Sequence, residues 1–283
     1  MEIDNKKRRS RLNFYQVLSW ILISLNVTFS YALTIKLLDT IYDIYFLALY
    51  STTLGVIVIL AIYIGYSDPT SDSVRLSWEY RDKGIELDCS KYPVKCNVCD
   101  AYVENTTKHC FTCNQCIEKF DHHCKWLNNC IGSKNYKSFI ILSFSCAVHF
   151  TIETIFNSLL INYYIQNSPK FENKCSDNLN ANYKIILAFV IICVLQSFLV
   201  ALSFFYLIGF HIYLARLGLT TYDFIMKRRE IAIPEEHLKI ETVKDYSIFE
   251  QNSPVDLEKT QGNKTHLQSD TSLRLIERAV DEN

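Results

Sequence analysis

Four long apolar stretches limit what this chain can fold into. Residues 12–35, 44–67, 138–164 and 185–210 each run 24 to 27 residues with almost no charge. A helix needs about 20 apolar residues to cross the hydrocarbon core of a bilayer. Inside lipid the backbone has to satisfy its own hydrogen bonds, so such stretches are read as helices. The 283 residues could bury a core in water, but 49% are apolar and only seven are glycine, and the apolar residues crowd into these stretches. The expected fold class is an α-helical polytopic membrane protein with four transmembrane helices and a cysteine-rich segment between the second and third. The first stretch is too long for the apolar core of a signal peptide, and no small-residue cleavage site follows it.

Positive residues in the short flanks set the orientation. Lys6, Lys7, Arg8, Arg9 and Arg11 precede the first stretch, while the loop after it carries only Lys36. Residues 69–136 hold nine Lys and Arg, and the loop between the third and fourth stretches has Lys170 and Lys174. Arg216, Lys227, Arg228 and Arg229 follow the fourth. Both termini and the long middle segment are therefore expected in the cytoplasm, with the protein in an endomembrane (endoplasmic reticulum or Golgi) or the plasma membrane. The nine basic residues of the middle segment meet nine acidic ones and the chain's net charge is −1, so no nucleic-acid partner is expected. Beyond residue 230 the composition turns polar, which reads as a mostly disordered tail with a short helix near residues 272–280. The glycosylation sequons at Asn105 and Asn263 fall on the cytoplasmic side and are discounted. No internal repeat is evident.

Chemistry concentrates in the middle segment. Eight of the eleven cysteines lie between Cys89 and Cys130. The cytoplasm keeps thiols reduced, so clustered cysteines there point to metal or catalysis rather than disulfides. The pattern is Cys96-x2-Cys99, then His109-Cys110-x2-Cys113-x2-Cys116, then His122-His123-Cys124 and Cys130. That makes ten candidate ligands. A structural zinc site takes four, so two zinc ions would use eight and leave a spare pair. A single zinc with incidental cysteines is the alternative. The segment has few large apolar side chains, so metal has to supply much of its folding energy, on the order of 10 kcal/mol per site. Spacing does not decide which of His122 and His123 is a ligand.

Asp121-His122-His123-Cys124 within this frame resembles the DHHC protein S-acyltransferases, the palmitoyltransferases. The shared frame is C-x2-C-x9-H-C-x2-C-x2-C-x4-D-H-H-C-x5-C, continued by Trp126, Asn128-Asn129-Cys130, Gly132, Asn135-Tyr136 and Phe139. Lys125 and Trp126 place the chain in the subset reading DHHCKW. The resemblance spans roughly residues 10–225 and implies two structural zinc ions, one on Cys96, Cys99, His109 and Cys116, the other on Cys110, Cys113, His123 and Cys130. It leaves Asp121, His122 and Cys124 for catalysis. With both zinc sites full, metal is given no direct catalytic part. Cys124 would attack palmitoyl-CoA, form an acyl-enzyme and pass the acyl group to a substrate cysteine. His122 would act as base and Asp121 would orient it. Partners implied are membrane lipid, acyl-CoA and proteins with membrane-proximal cysteines. The second hypothesis is a catalytically silent, zinc-bearing membrane adaptor. A metal transporter would require ionisable residues on several helices, and only the third stretch has them.

The domain division expected is residues 1–67 for the N-terminus and first two helices, 68–137 for the zinc-binding segment, 138–215 for the last two helices and 216–283 for the tail. Substrate contacts are expected at Lys125, Trp126, Asn135, His149 and Thr220. Lys125 either pairs with phosphates of CoA or is a solvated charge. The family's Lys-Pro and Arg ahead of the His-Cys pair are replaced by Val103-Glu104-Asn105-Thr106, and its Thr-Thr-x-Glu motif appears as Thr220-Thr221-Tyr222-Asp223. Its motif after the second helix appears as Asp68-Pro69-Thr70, and its C-terminal aromatic and asparagine motif is not found. The third stretch carries a polar stripe of Ser145, His149, Glu153 and Asn157, four residues apart and so on one helix face. His149 and Glu153 are expected either to satisfy each other inside the bundle, or His149 lines an acyl tunnel and limits chain length. Cys146 and Cys193 are read as small core residues, Cys89 as an exposed or acylated thiol, Cys175 as a lone thiol on the far side. His211, His237 and His266 are read as ordinary.

Overall fold

The computed structural model describes residues 12–38, 40–85 and 90–232. Cys89, the basic residues 6–11, the expected helix near 272–280, His237 and His266 lie outside them. The four apolar stretches form helices: α1 (Phe14–Leu37), α2 (Thr40–Tyr66), α4 (Tyr136–Gln166) and α6 (Tyr183–Leu217). Each is long and apolar enough to cross a membrane. Their outward faces carry bare apolar side chains such as Ile59, Phe198 and Tyr206, as lipid-facing surface requires. The chain is thus a helical membrane protein. α4 is the central helix, with 44% of its apolar centre buried against 11–17% in the other three.

The last helix departs most from the sequence expectation. It runs 35 residues, about 50 Å at 1.5 Å per residue, well beyond the ~30 Å of hydrocarbon. Its final turns therefore project past the bilayer core. Gly218 ends it in the left-handed region (φ 65°), the usual glycine stop, and α7 (Thr221–Ala232) turns away at once. A short helix, α5 (Ser168–Leu179), caps the opposite end of the bundle. There Phe171 and Cys175 are fully buried against Leu37, Phe46 and Leu160.

Within the polar stripe of α4, His149 and Glu153 bond to neighbouring helices rather than to each other. Glu153 Oε1 accepts from Ser30 Oγ (2.8 Å) and Asn26 Nδ2 (2.9 Å) on α1. His149 Nδ1 instead meets Thr53 Oγ1 of α2 (2.8 Å), with its ring against Tyr50. Hydroxyl and amide donors on the neighbouring helices take the place of the partner one turn away. His211 is also not free of partners. It is buried on α6, 3.1 Å from the Tyr136 hydroxyl.

Between α2 and α4 lie α3 (Asp72–Asp82) and three antiparallel hairpins. These pair β1 (Val94–Cys96) with β2 (Ala101–Val103), β3 (Lys108–Cys110) with β4 (Gln115–Ile117), and β5 (His122–Cys124) with β6 (Asn129–Ile131). Their first strands begin at residues 94, 108 and 122, fourteen residues apart. Each turn ends on a left-handed residue, Asp100, Asn114 or Asn128, with φ 46–51°. Asp and Asn tolerate that conformation because their short side chains bond locally. The chain therefore does contain a repeat, hidden from inspection because little beyond Cys, His and turn residues recurs.

Small clusters hold the hairpins together. Val74 of α3 packs on Ala101, Val103 and Cys116, and Trp78 Nε1 donates to the Cys99 carbonyl (2.8 Å). Asn129 Nδ2 donates to the Ile64 and Ser67 carbonyls (2.7 and 2.9 Å), which end α2 without helical partners. Gly132, just past β6, is the tightest point. A Cβ there would lie 2.5 Å from Ile117 Cγ2 and 2.8 Å from the Glu118 carbonyl oxygen. Gly132→Ala is expected to cost about 1–3 kcal/mol through overpacking. Thermal unfolding of the detergent-solubilised protein should show a drop of several degrees in Tm; an unchanged Tm would mean the contact relaxes freely.

Candidate metal centres and the adjoining thiol

The hairpins bring Cys96, Cys99, His109 and Cys116 together as one cluster, and Cys110, Cys113, His123 and Cys130 as another. Within each, the ligand atoms all lie within 4.8 Å of one another. In the first, His109 Nδ1 is 3.4–3.7 Å from the three sulfurs and Cys99 Sγ is 3.6 Å from Cys116 Sγ. In the second, His123 Nδ1 is 3.3–4.0 Å from its sulfurs and Cys130 Sγ is 3.3 Å from Cys113 Sγ. A tetrahedral zinc with Zn–S near 2.3 Å and Zn–N near 2.0–2.1 Å needs ligand atoms about 3.5–3.8 Å apart. Both clusters fit zinc by donor type, number and spacing. Zinc binds the thiolate form of cysteine, and each cluster offers three such sulfurs and one imidazole.

The fourteen-residue repeat explains the two sites and what is left over. Shifting the first cluster by fourteen gives the second at every ligand: 96 to 110, 99 to 113, 109 to 123 and 116 to 130. One more step takes Cys110 to Cys124, but takes Cys113 to Leu127. The third hairpin therefore presents a thiol in the place of a ligand, without the second cysteine that would close a site.

Strand register separates the two histidines. His123 lies directly across from Cys130, on the face turned to the second cluster. Successive strand residues point to opposite faces, so His122 and Cys124 share the other face. There His122 Nδ1 is 2.7 Å from Asp121 Oδ2. Asp121 is 2% exposed, and it also accepts from the Thr221 backbone N–H (2.9 Å) and hydroxyl (2.8 Å). Burial would raise the Asp121 carboxyl, but these donors outweigh it and hold it low. Burial would likewise lower His122, yet Asp121 and the neighbouring Cys124 push it up to about 9. Cys124 itself is 8% exposed and packs with Ile57, Ile64, Phe139, Leu142 and Cys146 at the mouth of the helix bundle.

The residues expected to contact substrate are dispersed. The Lys125 ammonium lies over the Tyr15 ring (5.7 Å), and Trp126 is half exposed and packs edge-on against the same ring. Asn135 turns inward, accepting from Gly132 N–H and donating to the Cys130 carbonyl and Ser67 Oγ. Thr220 bonds Asp223 Oδ2 through both its N–H and its hydroxyl. The next residue, Thr221, reaches Asp121. The sequence assigned no role to Thr221; the Thr220-Thr221-Tyr222-Asp223 motif is the signal that points to it. His149 sits deeper, against Tyr50.

Residues 90–228 match the family model described as DHHC palmitoyltransferase. That span takes in all three hairpins, α4 to α6 and the start of α7. No curated protein matches the chain.

Zinc in these clusters would supply folding energy to hairpins that have little apolar core. Elemental analysis of the purified chain should find two zinc ions per chain. Cys116→Ser and Cys130→Ser, one from each cluster, should each lower that to about one or fewer, while Cys124→Ser keeps two. A loss of zinc in Cys124→Ser would contradict the assignment of donors.

Proposed function

We propose that this chain, whose residues 90–228 form a DHHC palmitoyltransferase domain, is a protein S-palmitoyltransferase working through an acyl-enzyme on Cys124. The observation that carries the reading is His122. It is held by a buried carboxylate, shares a strand face with Cys124 and lies on the side away from the metal ligands. In the first half-reaction the Cys124 sulfur attacks the thioester carbonyl of palmitoyl-CoA. The C–S bond to CoA breaks and the departing thiolate takes a proton from the His122 imidazolium. In the second, a substrate cysteine gives its proton to His122 and attacks the Cys124 thioester, and Cys124 leaves as thiolate. Thioester exchanges for thioester, so neither half-reaction needs a large driving force, and the scheme is ping-pong. Asp121 keeps His122 oriented and favours its charged form. Thr221, through its two bonds to Asp121, holds that carboxylate in place.

Position accounts for the substrate. Cys124 packs against apolar side chains of α2 and α4, Ile57, Ile64, Phe139 and Leu142, hydrocarbon surroundings in which a palmitoyl chain gains ~0.8 kcal/mol per buried CH2. The CoA head and the protein substrate stay in the cytoplasm, with both termini on that side. Proteins with cysteines close to the membrane are the fitting acceptors. The hairpin segment, residues 68–137, acts as the catalytic and zinc-binding domain, flanked by the helix pairs of 1–67 and 138–215 and by the tail, 216–283. An endomembrane (endoplasmic reticulum or Golgi) or the plasma membrane is the proposed location.

Incubation of the detergent-purified protein with labelled palmitoyl-CoA should give hydroxylamine-sensitive label on the chain, absent in Cys124→Ser. Asp121→Asn should slow labelling about a hundredfold or more, the usual share of general acid–base catalysis. Equal label in wild type and Cys124→Ser, or none in either with two zinc ions retained, would favour the silent adaptor.

A further inference from the structure

The turn that follows Cys124 is gripped from an unexpected side. Residues 125–128 connect β5 to β6, and the first turn of α1 closes over them. Asn13 caps α1, its Oδ1 accepting from the Gln16 N–H (2.8 Å). Its Nδ2 donates both to the Lys125 carbonyl (2.8 Å) and to Asn128 Oδ1 (3.1 Å). Two residues on, Tyr15 meets Trp126 edge to face (5.6 Å) and lies under the Lys125 ammonium. One helix turn thus touches three of the four residues that separate Cys124 from β6.

The choice of asparagine exceeds what the helix requires. Ser, Asp and Asn all serve as N-caps, because the cap needs only a side-chain oxygen. Only the amide adds two N–H donors to that oxygen. Here one accepts for the helix and both donors go to the turn. Asn128 needs holding, since it occupies the left-handed region (φ 51°), where a side chain that bonds locally is favoured. Across the turn, Asn129 ties the same hairpin to the end of α2. The nucleophile hairpin is thereby suspended between the cytoplasmic-side ends of two membrane helices.

We infer that Asn13 is a positioning residue for the Cys124 hairpin, fixing the turn after the nucleophile to the start of α1. It touches neither acyl donor nor reacting atoms and acts through the backbone of Lys125 and the side chain of Asn128. The inference rests on the acyltransferase reading for its consequence in rate, but the clamp is testable without it.

Asn13→Asp and Asn13→Ser separate the two duties, because both keep the capping oxygen and remove the donors. Full-length wild type and variants in detergent are compared in two ways. Hydrogen exchange of the peptide spanning residues 122–131 should speed up in both variants, with Tm and exchange across the rest of α1 unchanged. Single-turnover self-acylation by palmitoyl-CoA should slow about tenfold, within the range that small misplacement of a reacting group costs, with the palmitoyl-CoA concentration at half-maximal rate unchanged. Unaltered exchange in residues 122–131 overturns the clamp whatever the activity, and so does a rate loss that appears only as weaker donor binding or that tracks a fall in Tm. Absence of self-acylation in the wild type would sink the transferase reading, leaving exchange alone to decide the clamp.

Discussion

The cross-strand pairing of His123 with Cys130 is the constraint on which the rest of the site depends. In a three-residue strand there are only two faces. Once His123 is committed to the metal side, its neighbours His122 and Cys124 are forced to the other. The same hairpin thus does two jobs without mixing them: one face closes a Cys3His cluster, the other presents an imidazole and a thiol to the bundle mouth. A one-residue slip would exchange the faces and lose both. The four-residue turn and its left-handed Asn128 fix the register, as Asp100 and Asn114 do in the other two hairpins.

Such short strands cannot hold themselves together by burial. The hairpins are therefore tied outward at polar points to the helices. Asn129 takes up the last carbonyls of α2, Thr221 at the start of α7 takes up Asp121, and Asn13 takes up the turn between β5 and β6. Asp121 is the most demanding of these groups, since burying a carboxylate is costly unless it is paired and hydrogen-bonded. It receives the Thr221 N–H, the Thr221 hydroxyl and the His122 ring. The length of α6 beyond the hydrocarbon brings Thr221 within reach of it. A membrane helix and a buried carboxylate are in this way parts of one arrangement.

Much of the architecture was legible because the bilayer imposes a length. Four runs of apolar residues could be counted, and the helices follow them closely. Their ends were harder: the last seven residues of α6, His211 to Leu217, mix charge with apolar groups and look like a flank rather than a helix. Counting ligands also worked, since ten Cys and His against two tetrahedra leave a pair over. Spacing could not tell His122 from His123, because the distinction is one of strand face and no strand among the described residues is longer than three, too short to show alternation. The fourteen-residue repeat that distinguishes them shows at only a few recurring positions. Their four-residue spacing leaves two readings open for His149 and Glu153, mutual pairing or a tunnel lined by His149. The donors that reach Glu153 Oε1 sit on α1, more than 120 residues away in sequence, where no local pattern reaches.

The central claim is that one cysteine of the hairpins is free while the other six are engaged by metal. Alkylation of the native, zinc-loaded protein with iodoacetamide, followed by peptide mass mapping, tests this directly. The account predicts that among the cysteines at 96, 99, 110, 113, 116, 124 and 130 only Cys124 is modified, and that the others react once the zinc is chelated. Modification of a cluster cysteine as fast as Cys124 in the loaded protein, or protection of Cys124 alongside the rest, would contradict it.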